Sequence, residues 1–130
     1  ALDRKWSVPF LNPPIIYQEK LYSLLDKYDI NIFQGNRMSH LLGKDSHKGK
    51  AVNKLKEYLD NPYVKIIALG DSPNDLPLLK IADEAIVVPG NNGPNKKLEK
   101  EIKNCNFHLA PAPHARGWAI AVNQILTKYL

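Results

Sequence analysis

The most informative stretch of the chain is Val64-Lys65-Ile66-Ile67-Ala68-Leu69-Gly70-Asp71-Ser72-Pro73-Asn74-Asp75. Its first six residues are almost continuously apolar, which is typical of a short parallel strand covered on both faces. Gly70 ends the apolar run, and the pattern from Pro73 to Ile81 predicts a helix. This stretch therefore predicts a strand, a tight turn and a helix within an α/β fold.

The chain after Gly43 continues the same alternation of helices and strands. Further helices are predicted at 48–59, 95–103 and 118–129, and further strands at 85–88 and 107–109. Strands separated by helices of about ten residues predict right-handed parallel crossovers. We therefore predict a doubly wound, Rossmann-like parallel sheet in this part of the chain.

Residues 1–43 predict a smaller unit of a different kind. Prolines keep the first stretch extended or irregular, and apolar residues at three-to-four spacing predict a helix from about Pro14 to Asp29. Alternation over 30–34, turn residues at 35–36 and a second strand-like segment over 37–42 predict a β-hairpin. This unit is therefore expected to be a helix followed by a hairpin.

Length and composition exclude several classes of protein. The chain has 130 residues, 44% of them hydrophobic and 24% charged, which fits a folded domain rather than a disordered segment. Cys105 is the single cysteine, so neither an intrachain disulfide framework nor a thiolate zinc site is possible. No apolar run approaches the ~20 residues of a membrane span, and charges occupy the start of the chain. We predict a soluble, cytoplasmic chain with no membrane partner.

The net charge of +5 raises the question of an anionic partner. One group of lysines follows Gly43 and enters a predicted helix: Lys44, Lys48, Lys50, Lys54 and Lys56. A second group alternates with glutamates, which indicates a solvated helix face: Lys96, Lys97, Lys100 and Lys103. The chain lacks the aromatic pattern, helix-turn-helix spacing and zinc ligands of common nucleic-acid-binding modules. We predict no nucleic-acid partner, because a small phosphorylated ligand needs only one or two of these lysines.

The residues after Leu69 are the candidates for chemistry, because ligands bind beyond the carboxyl ends of parallel strands. Asp71 emerges at the strand tip, and Asp75 returns toward it one helical turn later. With the amide oxygen of Asn74 they would form an all-oxygen site suited to Mg²⁺.

A purely structural interpretation explains much of the same segment. Ser72 is a favourable N-cap, Pro73 occupies the first helical position, and Asp75 stands where the acidic residue of a capping box belongs. The cap does not explain Asp71, a carboxylate directly after a buried strand. At this point both interpretations stay open for Asp75.

Several motifs resemble one known family. Residues 70–79, GDSPNDLPLL, resemble the fourth motif of haloacid dehalogenase-type phosphatases, and residues 48–51, KGKA, resemble their third. Three further segments are similar to the mannosyl-3-phosphoglycerate phosphatase branch: GNRMSHLLG at 35–43, Arg4 with SVPF at 7–10, and PAP at 111–113 with Gly117-Trp118. The resemblance covers nearly the whole chain.

The resemblance implies a fold and an activity. Residues 47–130 would belong to a Rossmann-like phosphatase core, and residues 1–46 to a partial helix-plus-hairpin cap domain. The activity would be Mg²⁺-dependent hydrolysis of a mannosyl- or glucosyl-3-phosphoglycerate through an aspartyl-phosphate. Lys48 would hold the nucleophilic aspartate and the phosphate in register, and Asp71 would bind the metal with Asp75 and Asn74 in support.

The same resemblance implies which residues recognise the substrate. Arg37 and His40 of the hairpin would face the glycerate carboxylate or the sugar, and Arg4 and Ser7 would join them. The remaining histidines are interpreted as structural or surface residues: His47, His108 and His114.

One part of the family pattern is missing from these residues. The family's fold begins with a strand ending in Asp-x-Asp, which supplies the nucleophile and the general acid/base, and the only aspartate in the opening stretch is Asp3. We therefore expect a C-terminal portion that needs the N-terminal half of the same enzyme as its partner and is inactive alone. The alternative is a non-catalytic α/β module that binds an anion through Lys48, Lys50 and Arg37.

Overall fold

The computed structural model describes residues 7–11, 14–35 and 38–130. Within these ranges the chain forms two three-stranded sheets, the first antiparallel and the second parallel. This arrangement confirms the predicted mixed α/β fold with a parallel sheet. No helix in these ranges is long and apolar enough to cross a membrane.

The antiparallel sheet holds the predicted hairpin. Its strands are β1 (Val8–Phe10), β2 (Ile30–Gln34) and β3 (Ser39–Gly43), in the order β1-β3-β2. Helix α1 (Ile15–Asp26) precedes β2 and contacts it. Phe33 lies opposite His40 and Asn31 opposite Leu42. Because directly paired residues point to the same side, these side chains share one face of the sheet, here called the inner face.

The parallel sheet follows in the second part of the chain. Its strands are β4 (Ile67–Gly70), β5 (Glu84–Val87) and β6 (His108–Leu109), in the order β4-β5-β6. The helices are α2 (Lys48–Leu59), α3 (Leu76–Leu79), α4 (Lys96–Asn104) and α5 (His114–Tyr129), with a 3₁₀ turn at Pro73–Asp75 ahead of α3. The division into a core from residue 47 and a cap before it stays a prediction.

Side chains of β5 divide the apolar core into two clusters. Val87 packs with Leu79 and Leu98, whereas its neighbour Ile86 packs with Ile125 in a separate cluster. Successive strand residues point to opposite faces, so helices cover the sheet on both sides. Burying side chains of this size stabilises the fold by about 1.5–3 kcal/mol each. The burial predicted for the first two strands of this sheet is confirmed, whereas both residues of β6 are exposed.

Two helices differ from their predicted extents. The helix predicted from Pro73 to Ile81 is a 3₁₀ turn followed by the short α3, because Pro77 has no N–H to donate to the carbonyl four residues earlier. Helix α5 begins at His114 rather than at Trp118. Its first turn carries no large apolar residue, so hydrophobic periodicity does not reveal it.

Strand β4 begins at Ile67 and not at Val64 as predicted. Asp83 is hydrogen-bonded to both the N–H and the carbonyl of Ile66, so that Ile66 does not continue the strand. The Ile66 N–H donates to Asp83 Oδ2 at 2.9 Å, and the Ile66 carbonyl accepts from the N–H groups of Asp83 and Glu84. The Ile66 N–H holds the pKa of the Asp83 carboxyl below its usual value, and the Lys65 ammonium at 3.2 Å lowers it further. Asp83 thereby fixes where β5 joins β4.

The lowered pKa of Asp83 predicts acid sensitivity. A carboxyl with a depressed folded-state pKa contributes stability above its unfolded pKa of about 3.9 and loses that contribution as the pH falls through the folded value. We expect Asp83→Asn to be less stable than the wild type at pH 7, with the gap closing below about pH 4. Urea unfolding across pH 3–7 measures this gap, and a gap independent of pH would contradict the assignment.

Candidate active site

A large open cavity lies at the carboxyl edge of the parallel sheet. It has a volume of about 1080 Å³, and Gly70, Asp71 and Asp75 line it together with Lys48 from α2. Parallel strands place their carboxyl ends at one edge of a sheet, which is where ligands bind in this class of fold. The structure therefore brings the predicted lysine and both predicted aspartates to one site.

Asp75 is the buried centre of this site. Its Oδ1 accepts a hydrogen bond from Lys48 Nζ, and its Oδ2 accepts from the N–H groups of Asp71 at 3.1 Å and Ser72 at 3.3 Å. The Ser72 hydroxyl oxygen lies 3.2 Å from the same oxygen, and the capping box predicted for Ser72 and Asp75 is present. One carboxylate thus fixes both the loop that carries Asp71 and the ammonium of Lys48.

Two glycines permit the close approaches that this arrangement needs. A Cβ at Gly70 would lie 2.4 Å from the Cβ of Asp75, and a Cβ at Gly49 would lie 2.3 Å from the carbonyl oxygen of Pro77. The first contact lets Asp75 fold against the end of β4, and the second lets α2 start next to α3. Because Lys48 is the first residue of α2, the second contact also places its ammonium.

His47 has the structural role expected of it. It is the N-cap of α2, where its Nδ1 accepts a hydrogen bond of 3.1 Å from the Lys50 N–H. An N-cap satisfies one of the N–H groups that a helix start otherwise leaves without an intrahelical partner. The cap therefore anchors the helix turn that begins with Lys48.

The two aspartates differ in their access to the cavity. The Asp75 side chain is only 7% exposed, whereas that of Lys48 is 54% exposed, and Asp71 is an exposed residue on the cavity wall. Asn74 lies on the side of a second cavity, and its Oδ1 accepts a hydrogen bond from the Ser72 hydroxyl. Asp71 is consequently the carboxylate that presents itself to a ligand.

The donor set fits a hard cation that keeps part of its water shell. Within residues 7–11, 14–35 and 38–130, no group of three or more His, Cys, Asp or Glu side chains is placed to hold a metal. Mg²⁺ differs from zinc here, because it is commonly held by one or two carboxylates, with waters and phosphate oxygens completing the shell. An exposed carboxylate beside a lysine that can meet a phosphate is consistent with that mode.

Asp71 is expected to determine whether the chain binds a divalent metal ion. We expect Mn²⁺, used as a paramagnetic probe, to broaden the amide signals of residues 70–75 in the wild type and to do so much less in Asp71→Asn. Binding should be weak, in the millimolar range, because few protein ligands are present. The control variant Asp60→Asn, which changes a residue at the far end of α2, should show the same broadening of these amide signals as the wild type. Equal broadening in Asp71→Asn and the wild type would contradict the assignment.

Two of the four predicted substrate residues lie within the described part of the chain. Ser7 and His40 line the second cavity, which has a volume of about 810 Å³ and shares Lys48 with the first. Arg4 and Arg37 lie outside the described residues. The structure thus places Ser7 and His40 in the same cavity as Lys48, and the roles of all four residues stay predictions.

Lys97 is a residue whose position the sequence did not suggest. It belongs to the lysine group assigned to a solvated face, yet it lines the first cavity, and its Nζ donates to Gln34 Oε1 at the end of β2. Asn95 caps α4 by accepting from the Lys97 N–H at 3.0 Å. A capped helix start after a parallel strand lies at the carboxyl edge of the sheet, and that signal places Lys97 near the site.

Comparison with known proteins places this geometry in a family. The model of the haloacid dehalogenase-like hydrolases matches residues 14–105, which include Lys48, Asp71 and Asp75. The chain belongs to the haloacid dehalogenase-like hydrolases. The family resemblance stated from the motifs is thereby confirmed.

Two curated relatives of this chain carry the same name. They are the glucosyl-3-phosphoglycerate/mannosyl-3-phosphoglycerate phosphatases of Persephonella marina and Methanococcoides burtonii. The first is 33% identical over 98% of this chain and 47% of its own length, and the second is 33% identical over 84% of this chain and 39% of its own. The chain thus spans less than half the length of either relative.

Solved structures support the fold. The sucrose-phosphatase of Synechocystis sp. PCC6803, in complex with sucrose and phosphate, matches 94% of this chain with a TM-score of 0.73 at 18% identity. A protein of Thermoplasma acidophilum matches 97% with a TM-score of 0.71 at 24% identity. This chain covers 52% and 51% of those two chains. At such identities the likeness concerns the fold alone.

Proposed function

We propose that this chain forms the metal-binding and lysine-bearing part of a Mg²⁺-dependent phosphatase that hydrolyses a glucosyl- or mannosyl-3-phosphoglycerate. The observation that carries the proposal is the buried Asp75 carboxylate, which holds Lys48 and the Asp71 loop together at the carboxyl edge of the sheet. The names of the two curated relatives support the substrate class.

Lys48 is the residue that would bind the phosphate. Its side chain is half exposed and lines the cavity, while the buried Asp75 carboxylate fixes the position of its ammonium. A positioned cation stabilises the charge on phosphoryl oxygens in the transition state without having to reorganise during the reaction. In this proposal Asp75 acts through Lys48 and the loop, and Asp71 is the principal carboxylate for the metal.

The metal would be held by Asp71, with Asn74 and Asp75 as the further candidates from the sequence. When bound, Mg²⁺ would neutralise phosphoryl charge and orient the phosphate. The exposed carboxylate of Asp71 lies on the same cavity as the Lys48 ammonium, so the two can meet the same phosphate from different directions. Asp75 already uses both of its oxygens in hydrogen bonds, which makes it the weaker candidate.

The nucleophile would come from outside these residues. An aspartyl-phosphate mechanism requires a carboxylate in line with the phosphorus, whereas Asp71 and Asp75 are engaged in metal binding and in holding Lys48 in this proposal. In the described sheet β4 is an edge strand, and an edge can accept a further parallel strand. A strand that ends in Asp-x-Asp and pairs with β4 would deliver its carboxylates beside Asp71.

Phosphate release from a matched set of substrates tests the proposal. Residues 1–130 are combined with an upstream half that carries the Asp-x-Asp strand, taken from the source reading frame or from the Persephonella marina relative. We expect Mg²⁺-dependent release from glucosyl- and mannosyl-3-phosphoglycerate, abolished by EDTA, and much slower release from sucrose 6-phosphate.

Other outcomes would separate the proposal from its rivals. Preference for sucrose 6-phosphate would overturn the substrate class while keeping the phosphatase. Binding of phosphate esters without turnover, even with the upstream half present, would favour the anion-binding module. Turnover unaffected by EDTA would contradict the proposed Mg²⁺ dependence.

A further inference from the structure

The second cavity has two walls of different character. The inner face of the antiparallel sheet supplies one wall through Phe33, His40 and Leu42, and the first two turns of α2 supply the other. At one side the rings of Phe33 and His47 approach with their centroids 6.5 Å apart. The result is a partly apolar cleft with a few polar groups, which is the usual composition of a small-molecule site.

The α2 wall concentrates positive charge in this cleft. Lys50 and Lys54 both line it, and residues four apart lie on the same face of a helix. Like charges at this spacing weaken a helix, so the pair is not explained by helix stability. Among the described residues that line the cleft there are three lysines and one carboxylate, Asp45, which leaves an excess of positive charge.

The ion pairs that these lysines already make do not occupy them strongly. Lys50 Nζ lies 3.3 Å from Asp45, and Lys54 Nζ lies 2.6 Å from Glu57. All four side chains are at least half exposed, and exposed pairs of this kind contribute little free energy. A ligand carboxylate can therefore replace either partner.

The cleft adjoins the phosphate site at Lys48, which lines both cavities. A ligand whose phosphate meets Lys48 and Asp71 can extend the rest of its body along α2. The other cations that line the cleft are Lys50 and Lys54, on the α2 wall. A second anionic group of the ligand would meet these lysines on entering the cleft.

We propose that Lys50 and Lys54 bind the carboxylate of the substrate's glycerate part and so select phosphate esters that carry a second anionic group. The inference rests on the proposed function, which supplies the substrate class and the position of the phosphate. It assigns to α2 a specificity role that the motifs did not indicate.

Two ligands that differ only in this group test the inference. 3-Phosphoglycerate carries a carboxylate where glycerol 3-phosphate carries a hydroxymethyl group. We expect residues 1–130 with Mg²⁺ to bind the first roughly ten-fold more tightly at fixed ionic strength, as followed by amide shifts at residues 33, 40 and 51. In the double variant Lys50→Gln, Lys54→Gln the ratio should fall to near one, with the affinity for glycerol 3-phosphate nearly unchanged. The control Lys56→Gln, on the same helix but outside the cleft, should keep the wild-type ratio.

The outcomes separate the inference from the proposed function. Equal binding of both ligands by the wild type, or an unchanged ratio in the double variant, would overturn the role of Lys50 and Lys54 while leaving the phosphate site intact. A loss of affinity for both ligands in the double variant would assign the lysines to the phosphate instead and also overturn the inference. No binding of either ligand by the wild type would overturn the proposed function, and this inference with it.

Discussion

Residues 1–130 alone are expected to release no phosphate from any ester above background, whatever divalent metal is added. Asp75 holds Lys48 and Asp71 faces the proposed metal, so neither of these aspartates is left to attack phosphorus. Adding the upstream Asp-x-Asp half, in the same chain or as a separate polypeptide, should restore Mg²⁺-dependent hydrolysis. In that restored enzyme, Lys48→Ala or Asp71→Ala should lower kcat/KM by about 10²–10⁴-fold.

The controls for this prediction guard against contaminating phosphatases. The Asp71→Ala chain is purified in the same way and assayed beside the wild type, and Lys100→Ala provides a lysine change on an exposed helix position outside both cavities. Lys100→Ala should leave the restored rate unchanged. Robust turnover by residues 1–130 alone that disappears in Asp71→Ala would show that a nucleophile is present within this chain.

Gly70→Ala should have a large effect on both the stability of the chain and its metal response. The new Cβ would lie 2.4 Å from the Cβ and 2.9 Å from the Cγ of Asp75, so the buried carboxylate has to move. Its hydrogen bonds to the Asp71 and Ser72 N–H groups and to Lys48 would then be lost or distorted. We expect a loss of about 2–4 kcal/mol in the free energy of unfolding, together with loss of the Mn²⁺ broadening at residues 70–75.

A matched control lies in the same cavity. A Cβ at Gly90 would meet its nearest neighbours only at 3.8 Å and 3.9 Å, which is ordinary van der Waals contact. Gly90→Ala should therefore change the free energy of unfolding by less than about 1 kcal/mol and keep the metal response. Urea unfolding of both variants gives the comparison. Similar stabilities for Gly70→Ala and Gly90→Ala would show that the contact between β4 and Asp75 does not govern the site.

Local signals in the sequence account for half of the site. Asp71 follows an apolar strand, and Ser72 with Asp75 forms a capping box, and both features depend only on neighbouring residues. The bond from Lys48 to Asp75 joins residues 27 positions apart and requires Gly49 to touch Pro77, which no local pattern encodes. The family resemblance, and no local pattern, indicates the role of Lys48.

The second cavity shows where prediction from sequence stops. Alternation along the hairpin indicates that Phe33 and His40 share a face, and helical spacing indicates that Lys50 and Lys54 share another. Neither pattern indicates that the two faces oppose each other, because that depends on how α2 packs against the antiparallel sheet. Lys97 meets Gln34 for the same reason, through a contact between distant segments.

In the proposed function, this chain orients a phosphate for a nucleophile located elsewhere. Trapping the phosphoenzyme tests directly where that nucleophile lies. The restored enzyme is quenched during turnover of glucosyl-3-phosphoglycerate and treated with borohydride, which reduces an aspartyl-phosphate, and the modified residue is then located by mass spectrometry. We expect modification of the first aspartate of the upstream Asp-x-Asp pair and none within residues 1–130. Modification of Asp71 or Asp75 would contradict it.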